Sequence, residues 1–285
     1  MSSESEPLIN SLVREALAED LGGGDITSQA VFGAGDIAAA VIKSKDRGIL
    51  SGARLLEPLF HCCDAALRVN VLLESGAALD KGVRICELRG PVRAILAGER
   101  VALNFLQHLS GVATATGLLS AKIAHTGAKL LDTRKTTPLL RALEKEAVVH
   151  GGGRNHRFGL YDMILIKDTH VKAAGGVAAA VRKAQAFVKT SGLPVKIEVE
   201  TQTTREFEEA LGCSPDMIML DNMSVGDIAA CVTLARSSGK YVELEASGNV
   251  NAETIVPIAE TGVDFISVGA ITHSARALDI HLVIE

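Results

Sequence analysis

The sequence predicts an α/β chain: an α+β first half with a largely antiparallel sheet, followed by an incomplete α/β barrel of parallel strands. Three observations carry this. From residue 129 onward, apolar runs recur and each ends in a polar residue: "KLLDTRK", "MILIKDTH", "VKIEVET", "MIMLDN", "YVELEASG" and "FISVGA". Amphipathic segments separate most of them, at residues 177–190, 203–211, 225–237 and 252–261. Before residue 97 this rhythm is missing, and short β-like runs dominate. Apolar runs bounded on both sides are the pattern of parallel strands covered by helices. Six such strands fall short of a full eight-unit barrel, so an incomplete barrel is expected, with a doubly wound sheet as the alternative.

Taken in order, residues 6–20 read as a helix, because Leu8, Ile9, Leu12, Val13 and Leu17 share one face. "LGGGDITS" stops it. "AAAVIKSK", "RGILSG", "LRVNVLLE" and "VRICELRG" read as strands, with "ARLLEPLF" as a helix between them and "SGAALDKG" as a turn-rich connector. Residues 97–125 read as a long helix, broken near Ser110 and Gly111.

Composition narrows the function classes. The chain has 285 residues, is 47% hydrophobic and carries a formal net charge of −5. An acidic chain without Trp and with 3% aromatics is not expected to bind nucleic acid or an anionic membrane surface. No apolar run reaches the ~20 residues of a membrane span. "MSSESEPLIN" does not read as a signal peptide. The five cysteines, Cys62, Cys63, Cys86, Cys213 and Cys231, are unpatterned and sit in apolar segments, which points to reduced core thiols in a cytoplasmic protein.

In both candidate architectures ligands bind at the carboxyl ends of the strands. The strand-end residues are Arg134 and Lys135, Lys167 and Asp168, Glu198 and Glu200, Asp221 and Asn222, Glu245 and Ser247-Gly248, and Gly269-Ala270. "EASGNV" and "SVGAITHS" place small residues where the last two strands stop, and exposed N–H groups there suit a phosphate. Arg134 and Arg157 offer planar forks for a carboxylate or phosphate, and Lys167 a point charge that needs an anionic partner if buried. The competing reading is salt bridges to Glu144, Glu146 or Asp162, and for Arg141 and Lys145, in a helical segment among acids, that reading prevails. "GGGRNHR" lacks the spacing of a P-loop or dinucleotide loop. His156 suits a general base, a neutral donor or a structural role. Glu200 and Asp221 suit Mg²⁺ binding through oxygen or stabilisation of a positive charge. No Cys/His spacing fits zinc, and no G-x-S-x-G elbow is present.

The blocks "TRKTTP", "EKEAVVHGGGRNHRFGLYD" and "LIKDTH" closely resemble the quinolinate phosphoribosyltransferase family. So do "EDLGGGDITS", "GERVALNFLQHLSG", "EVE", "LDN", "LEASGN" and "GVDFISVGAITHS", in order along nearly the whole chain. Leu139, Glu146 and Thr169 depart from the usual pattern, where "TTPG", "EKYAV" and "KDNH" are common.

The resemblance implies an N-terminal α/β sandwich at residues 1–115, joined by residues 273–285, and an α/β-barrel catalytic domain at residues 116–272. It implies transfer from phosphoribosyl pyrophosphate (PRPP) to quinolinate with Mg²⁺, releasing pyrophosphate and CO₂ and giving nicotinate mononucleotide for NAD synthesis. Quinolinate would be held by Arg134, His156, Arg157 and Lys167, with Arg100 from the second subunit of a homodimer. Lys135 would stand between the substrates as a catalytic residue, with Glu200 and Asp221 near the ribose and Mg²⁺, the latter contacted directly or through water. Thr133, Lys135, Ser247, Gly248, Asn249, Val268, Gly269 and Ala270 would hold PRPP. The rival readings are a molybdate-transport-associated homologue, a nicotinate phosphoribosyltransferase and a non-catalytic phosphate-ligand protein on the same fold.

Overall fold

The structure is a computed structural model that describes residues 5–285. The chain divides into two compact units. Among the described residues, one comprises 5–117, 137–152 and 274–285, and the other 118–136 and 153–273.

In the first unit, helix α1 (Ser5–Leu21) buries Ile9, Val13 and Leu17 on one face. Asp25 caps the short helix α2 (Ile26–Val31) by accepting the Ser28 N–H at 3.0 Å. Strand β1 (Ile37–Ser44) is followed by β2 (Gly48–Ile49), helix α3 (Leu56–Cys63), β3 (Arg68–Val71), β4 (Ala78–Leu79) and β5 (Arg84–Pro91). The main sheet runs β12-β1-β5-β3, where β12 is Ile280–Ile284, and every pairing in it is antiparallel. β2 and β4 form a separate two-stranded ribbon. Ile42, Leu50, Phe60, Ile85 and Ile95 make a dry core, each 0% exposed. At roughly 25 cal/mol per Å², each contributes on the order of 2 kcal/mol by burial.

Helix α4 (Val92–Lys122) runs unbroken for 31 residues. The break expected at Ser110 and Gly111 does not occur. Gly111 is there for close approach: a β-carbon on it would meet the Arg276 carbonyl oxygen. Helix α5 (Arg141–His150) contains a second correction. Lys145, expected on the surface, is 1% exposed. Its neighbours Glu144 and Glu146 are used within this unit: Glu144 accepts from His108 at 2.7 Å, and Glu146 from Arg54 at 2.6 Å. Leu139, where the sequence departs from "TTPG", has φ 67 and is 71% exposed, a left-handed backbone that costs leucine about 1 kcal/mol. Cys62 is exposed rather than a core thiol, while Cys86 and Cys231 are buried; all five are unpaired.

In the second unit all six expected strands form: β6 (Lys129–Leu131), β7 (Ile164–Ile166), β8 (Ile197–Thr201), β9 (Met217–Asp221), β10 (Glu243–Ser247) and β11 (Phe265–Ser267). They lie in the order β6-β11-β10-β9-β8-β7, and every pairing is parallel. β6 and β7 end the sheet without pairing to each other. On its open side Leu131 of β6 makes only a single parallel bridge, to Arg154. The barrel is therefore incomplete, as the strand count predicts. Helices α6 (Asp168–Ala174), α7 (Val177–Ser191), α8 (Thr204–Cys213), α9 (Val225–Ser237), α10 (Ile255–Ala259) and α11 (Ala270–His273) follow the strands. Val199, Ile218, Leu220, Leu244 and Ile266, all 0% exposed, fill the layer between sheet and helices. Residues 137–152 belong with the first unit, not with the barrel segment assigned to 116–272; α5 buries its apolar face at Leu143, Ala147 and Val148 there.

Candidate active site

A cavity of about 1000 Å³ lies at the carboxyl ends of the barrel strands, and every residue lining it belongs to the second unit. Strand direction explains this. Parallel strands with buried flanks leave only their last residue and the following loop free to carry polar groups. Thr133, Arg134, Lys135, His156, Arg157, Lys167, Glu200 and Asp221 all line the cavity, as do Ser247, Gly248, Asn249, Val268, Gly269 and Ala270. Arg100 does not; it is exposed on α4, and it has no hydrogen bond or ion pair among the described residues.

Arg134, Lys135, His156 and Arg157 come from two loops that hold each other. Asp132, 0% exposed at the end of β6, accepts the backbone N–H of His156 at 2.8 Å. That bond fixes the "GGGRNHR" loop against the "DTRK" loop. Arg157 donates from its side chain to the Met163 carbonyl at 3.2 Å. Its pKa is lowered by burial and then by the nearby charge of Arg134. Two guanidinium groups close enough to repel make a place for an anion with more than one negative charge. Lys167 does not lie buried at the end of its strand. Its side chain is 47% exposed, and Nζ is 3.2 Å from Glu200 Oε2.

His156 meets two strand-end acids, Glu198 and Glu245, to which the sequence reading gave no role. His156 Nε2 donates to Glu198 Oε2 at 3.0 Å and lies 3.3 Å from Glu245 Oε2. Ser267 Oγ donates to Glu245 Oε1 at 2.5 Å. Glu198 and Glu245 are both 0% exposed. Burial would lower the His156 pKa, but the hydrogen bonds and charges of the two carboxylates outweigh it and push it up to about 10. Burial and the charge of Glu245 push Glu198 up to about 7 against the opposing pull of His156. The Arg157 N–H also points at His156 Nδ1, at 2.6 Å, which favours a lone pair on that nitrogen. Those demands oppose one another over where the proton sits. They agree that the cluster as a whole keeps more protons at neutral pH than its members would in water, because three buried charges are costly. By donor type the trio could ligate a cation, but these atoms are already in mutual contact. The signal in the sequence was "EVE": residues two apart on a strand share a face, so Glu198 points the same way as Glu200.

Glu200 and Asp221 supply hard oxygen donors of the kind that suit Mg²⁺. Lys167 bonds Glu200 through Oε2 and Asn222 bonds Asp221 through Oδ2, and among the described residues Glu200 Oε1 and Asp221 Oδ1 accept no hydrogen bond. At the other end of the cavity, the backbone N–H groups of Gly248, Asn249 and Gly269 make no hydrogen bond among the described residues. Gly269 lets Lys135 in: a β-carbon there would stand 3.0 Å from Lys135 Cδ. Thr272 Oγ1 donates to the Lys135 carbonyl at 2.8 Å and fixes that loop. Asn222, one of the strand-end residues, also lines the cavity, and so do Asn251 and His273, which the sequence reading did not name.

A parallel barrel with cations on its early strands, acids on its middle strands and free N–H groups after its last two defines a site for joining an anionic substrate to a phosphorylated one. Comparison with known proteins says which. Residues 25–110 match the quinolinate phosphoribosyl transferase N-terminal domain, and residues 112–283 match the C-terminal domain of the same family. The chain belongs to the quinolinate phosphoribosyl transferase family. It is 41% identical over 292 residues to the chloroplastic carboxylating nicotinate-nucleotide pyrophosphorylase of Arabidopsis thaliana, covering 97% of this chain and 83% of that one. It is 40% identical over 274 residues to the probable carboxylating nicotinate-nucleotide pyrophosphorylase of Bacillus subtilis, covering 96% and 92%. The solved nicotinate-nucleotide pyrophosphorylase of Francisella tularensis superposes with a TM-score of 0.92 at 42% identity, covering 98% and 96%.

Proposed function

We propose that the protein transfers the phosphoribosyl group of PRPP to quinolinate with loss of CO₂, giving nicotinate mononucleotide and pyrophosphate for NAD synthesis. The observation that carries this is the convergence of two arginines, Arg134 and Arg157, and two acids, Glu200 and Asp221, on one cavity. Quinolinate is a dianion. Its carboxylates would relieve the Arg134–Arg157 repulsion, with Lys167 as a further cation. His156 supports this arrangement from below, by fixing the loop that carries Arg157.

The pyridine nitrogen attacks C1′ of the ribose, the bond from C1′ to the pyrophosphate oxygen breaks, and its electrons leave with pyrophosphate. The transition state resembles an oxocarbenium ion, and Glu200 and Asp221 would stabilise its positive charge. Because the pyridine nitrogen is a weak nucleophile, holding it in line supplies much of the rate. Lys135, which lines the cavity beside Gly269, would stand between the two substrates and neutralise charge on the departing pyrophosphate. The N–H groups of Gly248, Asn249 and Gly269 would hold phosphate oxygens, beside Thr133, Ser247, Val268 and Ala270. Glu200 and Asp221 would hold Mg²⁺, directly or through water, and that ion would offset the pyrophosphate charge. The alkylated ring is then cationic at nitrogen. The bond from C2 to its carboxylate breaks, CO₂ leaves, and the electron pair stays on C2 until a proton arrives.

Homodimer formation, with Arg100 reaching the neighbour's cavity, belongs to the same reading and is supported by that arginine's exposure and its lack of a side-chain partner among the described residues. So does a cytoplasmic location, in keeping with five unpaired cysteines. No helix among the described residues is long and apolar enough to cross a membrane. The deciding assay is release of CO₂ from quinolinate labelled at the C2 carboxylate, with PRPP and Mg²⁺ supplied. Labelled CO₂ matched by nicotinate mononucleotide is expected. No release from folded protein would end this reading and return the non-catalytic one.

A further inference from the structure

We infer that Asn222 is a positioning residue that ties the Asp221 carboxylate to the phosphate-side loop of Ser247, Gly248 and Asn249. The inference rests on the functional reading above and adds to it a residue given no role there.

The geometry begins in the sheet. Asp221 and Ser247 are register partners at the ends of β9 and β10. One residue further on, Asn222 leaves the strand with φ 56, and its backbone N–H donates to the Ser247 carbonyl at 2.9 Å. Left-handed backbone is uncommon outside glycine, and Asn is among the residues that adopt it most readily. The turn swings the side-chain amide back across the strand ends. Its Nδ2 donates to Asp221 Oδ2 at 2.7 Å, and its Oδ1 accepts from Asn249 Nδ2 at 3.1 Å. The orientation of the amide follows from chemistry. A carboxylate only accepts, so the NH₂ end must face Asp221, which leaves the carbonyl end for Asn249.

The loop is shaped around this amide. Gly248 has φ 94, and the Asn222 side-chain oxygen stands where a β-carbon of Gly248 would be. Asn249 is itself left-handed, with φ 52. Three successive contacts therefore converge on one side chain: the acid on one side, the loop amide on the other, and the glycine pressed against it. The Asn222 amide occupies one Asp221 oxygen and leaves Oδ1 for the ribosyl side. It also sets the distance between that oxygen and the loop N–H groups. A substrate carrying both a ribose and phosphates must match that distance, whereas quinolinate, held by Arg134, Arg157 and Lys167, need not.

The test compares Asn222→Gly, Asn222→Ala, Asn249→Ala and the double variant Asn222→Ala with Asn249→Ala. PRPP affinity is measured by calorimetry, and KM for each substrate by steady-state assay, on the full chain. Glycine keeps the left-handed backbone and removes only the amide. Both Asn222 variants are expected to weaken PRPP binding about tenfold, the loss of a charge-assisted hydrogen bond, while KM for quinolinate stays within about twofold. The double variant should be little worse than Asn222→Ala, because the two amides act through one contact. Recovery of wild-type PRPP affinity in Asn222→Gly would mean that only the backbone matters and would overturn the inference. Equal losses for the two substrates would do the same. A wild type that binds PRPP yet releases no CO₂ would count against the functional reading alone, since calorimetry still compares the variants.

Discussion

Lys167 Nζ stands 3.2 Å from Glu200 Oε2, so the cation proposed to meet the substrate's carboxylate is already paired with the acid proposed for the ribosyl side. The two subsites are thereby coupled. Removing the acid should free the lysine for quinolinate while taking away stabilisation of the developing positive charge. Glu200→Gln is expected to lower kcat by about 100-fold and to leave KM for quinolinate unchanged or lower. A KM for quinolinate that rises with kcat intact would show that Glu200 holds substrate instead.

The same cations predict substrate discrimination. Arg134 and Arg157 are close enough for one to lower the other's pKa, so a ligand with a single carboxylate leaves part of that charge unanswered. Nicotinic acid should be used with kcat/KM on the order of 10⁴ lower than quinolinate, the ratio typical when a site's polar groups are left unpaired. Comparable efficiency with both acids, measured as nucleotide formed, would remove the dianion argument.

A third expectation concerns pH. The folded pKa values of Glu198 and His156 are both raised, to about 7 and about 10, from 4.5 and 6.5. At these two sites the folded chain then binds more protons than the unfolded one. Raised values give stability that is present below the unfolded pKa and lost as pH climbs through the folded one. The contribution of Glu198 therefore fades between about pH 4.5 and 7, and that of His156 between about 6.5 and 10. Glu198→Gln removes the first titration and weakens the second, by deleting a counter-charge of His156. Denaturant unfolding at pH 5, 7 and 9 should show the variant losing less stability with rising pH than the wild type. Parallel curves for the two proteins would contradict the proposed proton count.

The barrel strands were legible because each couples an apolar run to a polar end, a pattern that burial on both faces imposes. For the same reason the site's cations, acids and small loops could be read as strand-end residues. β12 was not seen. "IHLVI" carries no turn signal before it, and its partner β1 lies more than two hundred residues away. The His156–Glu198–Glu245 cluster was also hidden. Glu198 and Glu245 sit on β8 and β10 with β9 between them, so their meeting depends on the sheet's curvature and not on spacing along the chain. Gly111 was misread as a helix break because a glycine's sequence context does not say whether it bends a helix or admits a neighbouring backbone. The burial of Lys145 depends on what α5 packs against, which its acidic neighbours disguise.

The last prediction concerns Arg100. It is exposed, without a hydrogen bond or ion pair among the described residues, and it lies outside the unit that builds the cavity. An arginine so placed is ordinarily a solvated surface residue. The functional reading gives it another task, as the quinolinate contact that one subunit lends to the cavity of its partner. Two-fold symmetry makes the difference measurable. Each site of such a dimer takes Lys135 from one chain and Arg100 from the other. Arg100→Ala and Lys135→Ala chains, each nearly inactive alone, are mixed and allowed to exchange subunits. A mixed dimer then has one site with both defects and one site with neither. Random pairing makes about half of the dimers mixed, so roughly a quarter of wild-type activity should return. If Arg100 serves its own chain, every site in the mixture keeps one defect and nothing is recovered. Native mass spectrometry confirms the exchange. Recovered activity near a quarter establishes the shared site, and activity that stays at the level of the separate variants, with mixed dimers present, excludes it.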